Sequence, residues 1–271
     1  MYTTMPYIEV EPNVRLFIRD WGKGKPIVFL HGWPYSHEMF EYQFIELAQH
    51  YRCIGIDLRG YGKSDKPWCD YSFDLMADDV KRVIEALELT DVTLLGFSMS
   101  GAISIRYMAR HQGAYVSKLI LMSAAAPCLT VKPDFPDGMN PEVFNGFIDT
   151  CKSDRTQMIS QLNQATFNQP ISSELNNWFL NLGMAASPHA TIMGAVALRD
   201  EDLRADLSKI DVPTVIFHGE QDKTAPIEIT AEVNHRGIKN SKLIKFKDSG
   251  HNLFYDEKDK ANRELMKFIN S

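Results

Sequence analysis

Positive charge is in short supply. The 271-residue chain carries 29 lysines and arginines against 35 acidic residues, a formal net charge of −6, and no segment concentrates the basic ones. A nucleic-acid partner, which needs a basic face, is excluded on that ground. Cysteine is scarce too. The four thiols, Cys53, Cys69, Cys128 and Cys151, show neither metal-binding nor redox spacing. They predict a reducing, cytoplasmic compartment with no disulfide framework. The start, "MYTTMPYIEVEPNV", lacks a basic segment followed by an apolar one, so no secretory signal is expected. One uncharged run, Trp178 to Leu198, has the length of a membrane span. Asn181, Gly183, Ser187, Pro188 and His189 interrupt it, which predicts buried helix and no membrane partner. Histidines and carboxylates nowhere share metal spacing, so no metal and no other cofactor is expected.

What the chain has is ordinary apolar content, 44% of residues, enough for one large α/β domain with an insertion. The first third alternates strand and helix patterns. "IEV" and "RLFIRDW" read as an antiparallel pair around "EPN". "PIVFL" (26–30), "YRCIGID" (51–57), "DVTLLGF" (91–97) and "KLILMSA" (118–124) read as strands, the first as a buried parallel one. Helical patterns fall near 38–49, over 73–89 and over 99–111. From 125 to 209 no strand pattern occurs. Helical segments are expected near 141–152, 155–167, 173–186 and 189–207. Strands return at 213–219 and 241–246, and a last helix follows at 257–270. The expectation is an α/β fold with a mostly parallel eight-stranded sheet and helices on both faces. Residues 1–124 and 210–271 would form its core, and 125–209 a helical lid inserted in it.

"TLLGFSMSGA" (93–102) carries the first chemical signal. Ser98 directly follows a strand and opens a helix, at the sheet edge where α/β chemistry collects. Gly96, Ser100, Gly101 and Ala102 are small enough for a tight strand-to-helix turn. The helix N-terminus offers unpaired N–H groups, and Met99 N–H lies beside any oxyanion formed at the serine. A lone serine there would be an ordinary helix cap. A nucleophilic serine needs a base, and the base an orienting carboxylate. Asp222, in "HGEQDKTAP", and His251, in "KDSGHNLF", each follow a strand end and so fall at the same edge. Asp200 and Asp202 compete for the acid but sit in a charged helical segment. A second oxyanion donor is expected after strand 26–30, in His31-Gly32-Trp33-Pro34. Gly32 allows close approach and Trp33 N–H is free to donate, whereas Pro34 has no N–H. His31 reads as a structural residue that bonds the loop backbone. His37, His50, His111, His189, His218 and His235 show no partner pattern and receive no role.

Together "HGWP", "DLRGYGKSDKP", "GFSMSG", "HGEQDKTAP" and "SGHNLFYDE" resemble the α/β-hydrolase superfamily over nearly the whole chain. Within it the resemblance is closest to cofactor-free haloperoxidases, perhydrolases and aryl esterases. Two positions depart from the pattern: Leu58 stands where that branch commonly has arginine, and Ser100 replaces the last glycine of G-x-S-x-G. The resemblance implies ester hydrolysis through an acyl-serine, with Ser98 as nucleophile, His251 as base, Asp222 as its orienter and the Trp33 and Met99 N–H groups as oxyanion hole. It also implies perhydrolysis where peroxide replaces water, with Pro34 shaping the Trp33 loop toward that outcome. Phe147 and Leu162 of the inserted helices, with Pro34 and Ala225, are candidate substrate contacts. The expected partner is a small ester, and a homo-oligomer is left open. Hydrolysis of a carbon–carbon bond, lactone or amide, and a ligand-sensing signalling protein that keeps the triad, are the competing functions.

Overall fold

The structure, a computed structural model, describes residues 6–271. The chain begins as a hairpin, β1 (Tyr7–Glu11) and β2 (Val14–Gly22), turned at Asn13 with φ 65°. Asparagine tolerates that left-handed conformation better than most residues. β3 (Pro26–Leu30), α1 (Glu41–Leu47), β4 (Arg52–Ile56), α2 (Phe73–Ala86), β5 (Val92–Phe97), α3 (Met99–Arg110) and β6 (Val116–Met122) follow. Three helices come next: α4 (Glu142–Thr166), α5 (Ser173–Met184) and α6 (Pro188–Asp200). The alternating pattern resumes with β7 (Thr214–Gly219), α7 (Ala231–Gly237), β8 (Ser241–Phe246), α8 (Leu253–Asp256) and α9 (Lys258–Ile269).

The eight strands form one sheet in the order β1-β2-β4-β3-β5-β6-β7-β8. β1 and β2 pair antiparallel with each other, and β2 pairs antiparallel with β4; every later pairing is parallel. Every residue of β5 is buried, so helices cover both faces of the sheet centre. The chain runs outward from β3 to β4 and then returns to β5. Strand order therefore reverses between β3 and β5, where Leu30 pairs with Gly96. At such a point the loops leaving the two strand ends diverge and open a crevice. The loops after Leu30 and Phe97 carry the Trp33 and Ser98 segments.

Local chemistry places the helices. Ser72, Ser172 and Ser187 cap α2, α5 and α6 by accepting the N–H of Leu75, Leu175 and Ala190. Pro188 occupies the first turn of α6, where its missing N–H is harmless. The Ser187–Pro188 start divides the uncharged run into α5 and α6, and no described helix is long and apolar enough to cross a membrane. α4 is interrupted at Asp154 (φ −149°, ψ 85°), whose carboxylate accepts the Gln157 N–H at 2.9 Å and restarts the helix. The two segments expected at 141–152 and 155–167 meet there.

Two expected boundaries shift, and one helix was not expected. β6 starts two residues earlier than "KLILMSA", because pairing begins where Val116 faces Val92. Ala124 to Ala126 stay buried but leave the ladder. The segment 189–207 is helical only to Asp200, and a separate 3-10 turn covers Arg204–Lys209. α7 had no strong apolar periodicity to announce it; within it only Ala231 and Asn234 are buried.

Candidate active site

Ser98 sits between β5 and α3 with φ 54° and ψ −121°, a strained conformation for a residue with a Cβ. It holds the side chain out of the turn, toward the crevice. The turn closes tightly. A Cβ on Gly96 would come within 2.3 Å of the Ser100 carbonyl and 2.4 Å of Ser104 Oγ, so only glycine fits. Ser98 Oγ lies 2.8 Å from His251 Nε2, and His251 Nδ1 lies 2.7 Å from Asp222 Oδ2. The three residues are 8%, 4% and 6% exposed, so the relay is nearly dry. The carboxylate only accepts, so His251 Nδ1 carries the proton donated to it, and Nε2 is left to accept from the serine hydroxyl.

Asp222 is held from all sides. Its Oδ1 accepts the Thr224 and Ala225 N–H groups, each at 2.9 Å. Its Oδ2 faces His251 and also His218 Nε2, the latter at 3.2 Å. Burial alone would raise this carboxyl; the positive charge that His251 gains when it is protonated, and hydrogen bonds from both histidines, outweigh burial and hold it well below the usual carboxylate range. His251 is fixed through its own loop. The Asn252 N–H donates to the Thr166 carbonyl and Asn252 Nδ2 to Thr166 Oγ1, both at 2.9 Å, which ties the loop to the end of α4.

The loop after β3 abuts the serine. A Cβ on Gly32 would fall 2.7 Å from the Phe97 ring and 3.1 Å from Ser98 Cβ, so the glycine is what lets the loop reach the nucleophile. Neither the Trp33 N–H nor the Met99 N–H bonds to another described group, so both stay available beside Ser98. The Gly32 carbonyl, in the same peptide as the Trp33 N–H, is fixed by the Tyr35 N–H at 2.9 Å and by His31 Nδ1 at 3.0 Å. The Leu58 N–H donates to His31 Nε2 at 3.0 Å, so Nδ1 carries the ring's proton. Burial pushes the His31 pKa down to about 4, which keeps the ring neutral. Ser100 donates from Oγ to the His31 carbonyl. The residue that departs from the elbow pattern thus ties the elbow helix to the β3 loop.

A cavity of about 270 Å³ opens over Ser98 and His251. Apolar side chains dominate it, among them Trp33, Leu129, Phe144, Phe147 and Leu162. The loop and the inserted helices are bonded across it: Trp33 Nε1 donates to the Thr191 carbonyl at 2.9 Å and Tyr35 OH to Asn163 Oδ1 at 2.6 Å.

Of the residues expected to touch substrate, Phe147 and Leu162 line the cavity, whereas Pro34 and Ala225 do not. Pro34 is buried in the loop next to Trp33 in the chain, and Ala225 supports Asp222 through its N–H. Asp200 and Asp202 bond to Arg199 and Arg204, away from His251. Two histidines left without a role have buried carboxylate partners. His218 donates from Nε2 to the Ala225 carbonyl at 2.8 Å beside Asp222, and His37 Nδ1 lies 2.7 Å from Asp57. The His218 pairing was open to reading in "HGEQD", where a turn brings residue i+4 back to the strand end. The His37 pairing spans separate loops and leaves no local signal.

A family model described as alpha/beta hydrolase fold matches residues 25–258. The AB hydrolase superfamily protein YisY of Bacillus subtilis is 52% identical over 98% of this chain and 99% of its own length. An esterase from Exiguobacterium antarcticum superposes with a TM-score of 0.96 at 44% identity, covering 99% of this chain and 100% of that one. The bifunctional esterase/perhydrolase of Acinetobacter calcoaceticus is 32% identical over 98% of this chain and 100% of its own. With the strained serine, the buried histidine–carboxylate pair and the sheet order already in place, the chain belongs to the α/β-hydrolase family, on the branch of non-heme haloperoxidases and esterase/perhydrolases.

Proposed function

We propose that the protein hydrolyses carboxylic esters through an acyl-serine intermediate. The observation that carries the reading is the unbroken relay from Ser98 Oγ to His251 at 2.8 Å and on to Asp222 at 2.7 Å. His251 takes the hydroxyl proton as Ser98 attacks the ester carbonyl. The negative charge that develops on the carbonyl oxygen meets the Trp33 and Met99 N–H groups, each worth about 3 kcal/mol in the transition state. Asp222 holds the imidazole in the useful tautomer and stabilises its cation. His251 then protonates the departing alcohol. Water, deprotonated by the same imidazole, releases the acid and restores Ser98. Residues 125–209, with the inserted helices α4 to α6, act as a lid over Ser98, and the cavity beneath them suits short or aromatic acyl groups. Four free thiols support a reducing, cytoplasmic compartment.

Labelling with an ester-like fluorophosphonate and mapping the peptide tests the reading. Covalent label on Ser98 is the expected result. Ester turnover with label elsewhere, or with none, overturns it. An ester, lactone and amide panel then ranks the bond types.

Perhydrolysis is the second reading. Pro34 fixes its own φ and biases Trp33 toward an extended backbone, which can direct the Trp33 carbonyl at the incoming nucleophile. The likeness to an esterase/perhydrolase supports it. Pro34→Leu should lower the ratio of peracid formation to hydrolysis severalfold, and an unchanged ratio removes the idea.

A further inference from the structure

The cavity over Ser98 is apolar but not uniformly so. Most of its polar side chains are already engaged. Trp33 Nε1 and Tyr35 OH bond across to the inserted helices, and Thr166 Oγ1 donates to the Asn163 carbonyl at 3.0 Å. Three are not engaged: among the described residues, the side chains of Gln161, Lys223 and Thr224 line the cavity and make no hydrogen bond or ion pair. Gln161 and Lys223 are exposed, which puts them on the open side of the cavity, opposite its apolar interior. No aspartate or glutamate lines the cavity, and Lys223 is its one lysine or arginine. Its position is set by the catalytic geometry, because the residue before it in the chain, Asp222, is locked by Thr224 and Ala225 N–H groups and two histidines.

We propose that Lys223, assisted by Gln161 and Thr224, selects esters whose far end carries a carboxylate, such as half-esters of short dicarboxylic acids. The inference rests on the ester-hydrolase reading of Ser98 and names its substrate class. An ammonium with no internal partner, at the edge of a low-dielectric cavity, attracts an anion more strongly than the same group in open water. A single ammonium with amide and hydroxyl donors fits a monoanionic carboxylate. Phosphate recognition characteristically uses bidentate arginine or a nest of backbone N–H groups, and neither faces this rim. The scissile carbonyl sits at Ser98, the chain between fills the apolar middle, and the carboxylate reaches the rim. Water adds across the ester bond, so the products are the dicarboxylate and the alcohol.

Three esters of similar length separate charge from size: monomethyl adipate, methyl hexanoate and methyl 6-aminohexanoate. The readout is kcat/KM for the anionic ester divided by that for the neutral one, measured on the same sample, so any loss of folded enzyme cancels. Wild type should favour the anion over the neutral ester and the neutral ester over the cation. Lys223→Met should lower the anion-to-neutral ratio about tenfold, equivalent to ~1.4 kcal/mol, chiefly through KM. Lys223→Arg should restore most of it, and added salt should erode it in wild type and Lys223→Arg but not in Lys223→Met. A ratio that is the same in wild type and Lys223→Met, with methyl hexanoate still hydrolysed, overturns the proposal and leaves the esterase reading intact. A wild type labelled by fluorophosphonate but inert on all three esters overturns the proposed ester class, and failure of Ser98 to label overturns the hydrolase reading beneath it.

Discussion

Removing the Ser100 hydroxyl tests how the oxyanion loop is held. Ser100→Ala deletes one oxygen from a side chain with no exposed surface and leaves the helix backbone unchanged. The lost bond runs to the His31 carbonyl, itself on a fully buried residue. An unpaired buried carbonyl costs about 1–3 kcal/mol. In a chain of this size each kcal/mol lowers the melting temperature by roughly 2–4 °C, so a drop of about 2–12 °C is expected. The catalytic effect is separable. The His31 carbonyl lies one peptide before the Gly32–Trp33 peptide that carries the donor N–H. The second peptide keeps its own anchors, the Tyr35 N–H at 2.9 Å and His31 Nδ1 at 3.0 Å. The Trp33 N–H should therefore tilt and not be lost. Complete loss of one oxyanion donor costs about 3 kcal/mol, and partial misalignment should lower kcat about tenfold with KM little changed. The assays are thermal unfolding and p-nitrophenyl acetate hydrolysis. An unchanged melting temperature would show that the Ser100–His31 bond does not stabilise the fold, and an unaltered kcat that it does not position the donor. Ser100→Gly, which restores the common pattern, should resemble Ser100→Ala in rate.

The positions of Ser98, Asp222 and His251 were legible because each follows a readable strand, apolar before Ser98 and Asp222 and the shorter pattern SKLIKF before His251. "DVTLLGF", "PTVIFHG" and the strand before "DSGH" end at one edge of a parallel sheet, so whatever comes next shares that edge. The His31-Gly32-Trp33 donor loop was legible for the same reason. The same logic could not find His37 and Asp57, since their contact depends on how two loops fold over the sheet. Nor could it find the tether from Asn252 to Thr166, which joins segments 86 residues apart. The inserted helices were visible as a long block with helical patterns and no strand pattern, and the break at Asp154 divides the two segments expected at 141–152 and 155–167. Which of their faces looks inward was not visible. Phe147 and Leu162 were placed at the cavity, but Met139, Val143 and Leu198 line it as well, and an apolar residue carries no mark that distinguishes core from pocket. Ala225 was placed at the pocket because it closely follows Asp222, and Pro34 because its ring restrains the Trp33 backbone; neither ground requires the side chain itself to reach the cavity. Ala225 instead donates its N–H to the Asp222 carboxylate, and Pro34 is buried in the loop.

Ser98→Ala should lower kcat about a million-fold and Asp222→Asn about ten-thousand-fold. The double variant should be no slower than Ser98→Ala alone, because the two act as one unit; a further large loss, read in single-turnover assays, would mean that Asp222 acts independently of the serine. A stability measurement probes His31. Its pKa falls from 6.5 in the unfolded chain to about 4 in the fold. Between those values the unfolded state binds the proton and the folded state does not, so the stabilisation is complete above about pH 6.5 and fades as pH falls toward 4. The difference corresponds to about 3 kcal/mol. His31→Asn should be less stable at pH 7 and should lose less stability than wild type between pH 6.5 and 4, as followed by urea unfolding. Parallel stability curves for variant and wild type across that window would mean that His31 does not stay neutral in the fold, and the bond that His31 Nε2 accepts from the Leu58 N–H would lose its basis.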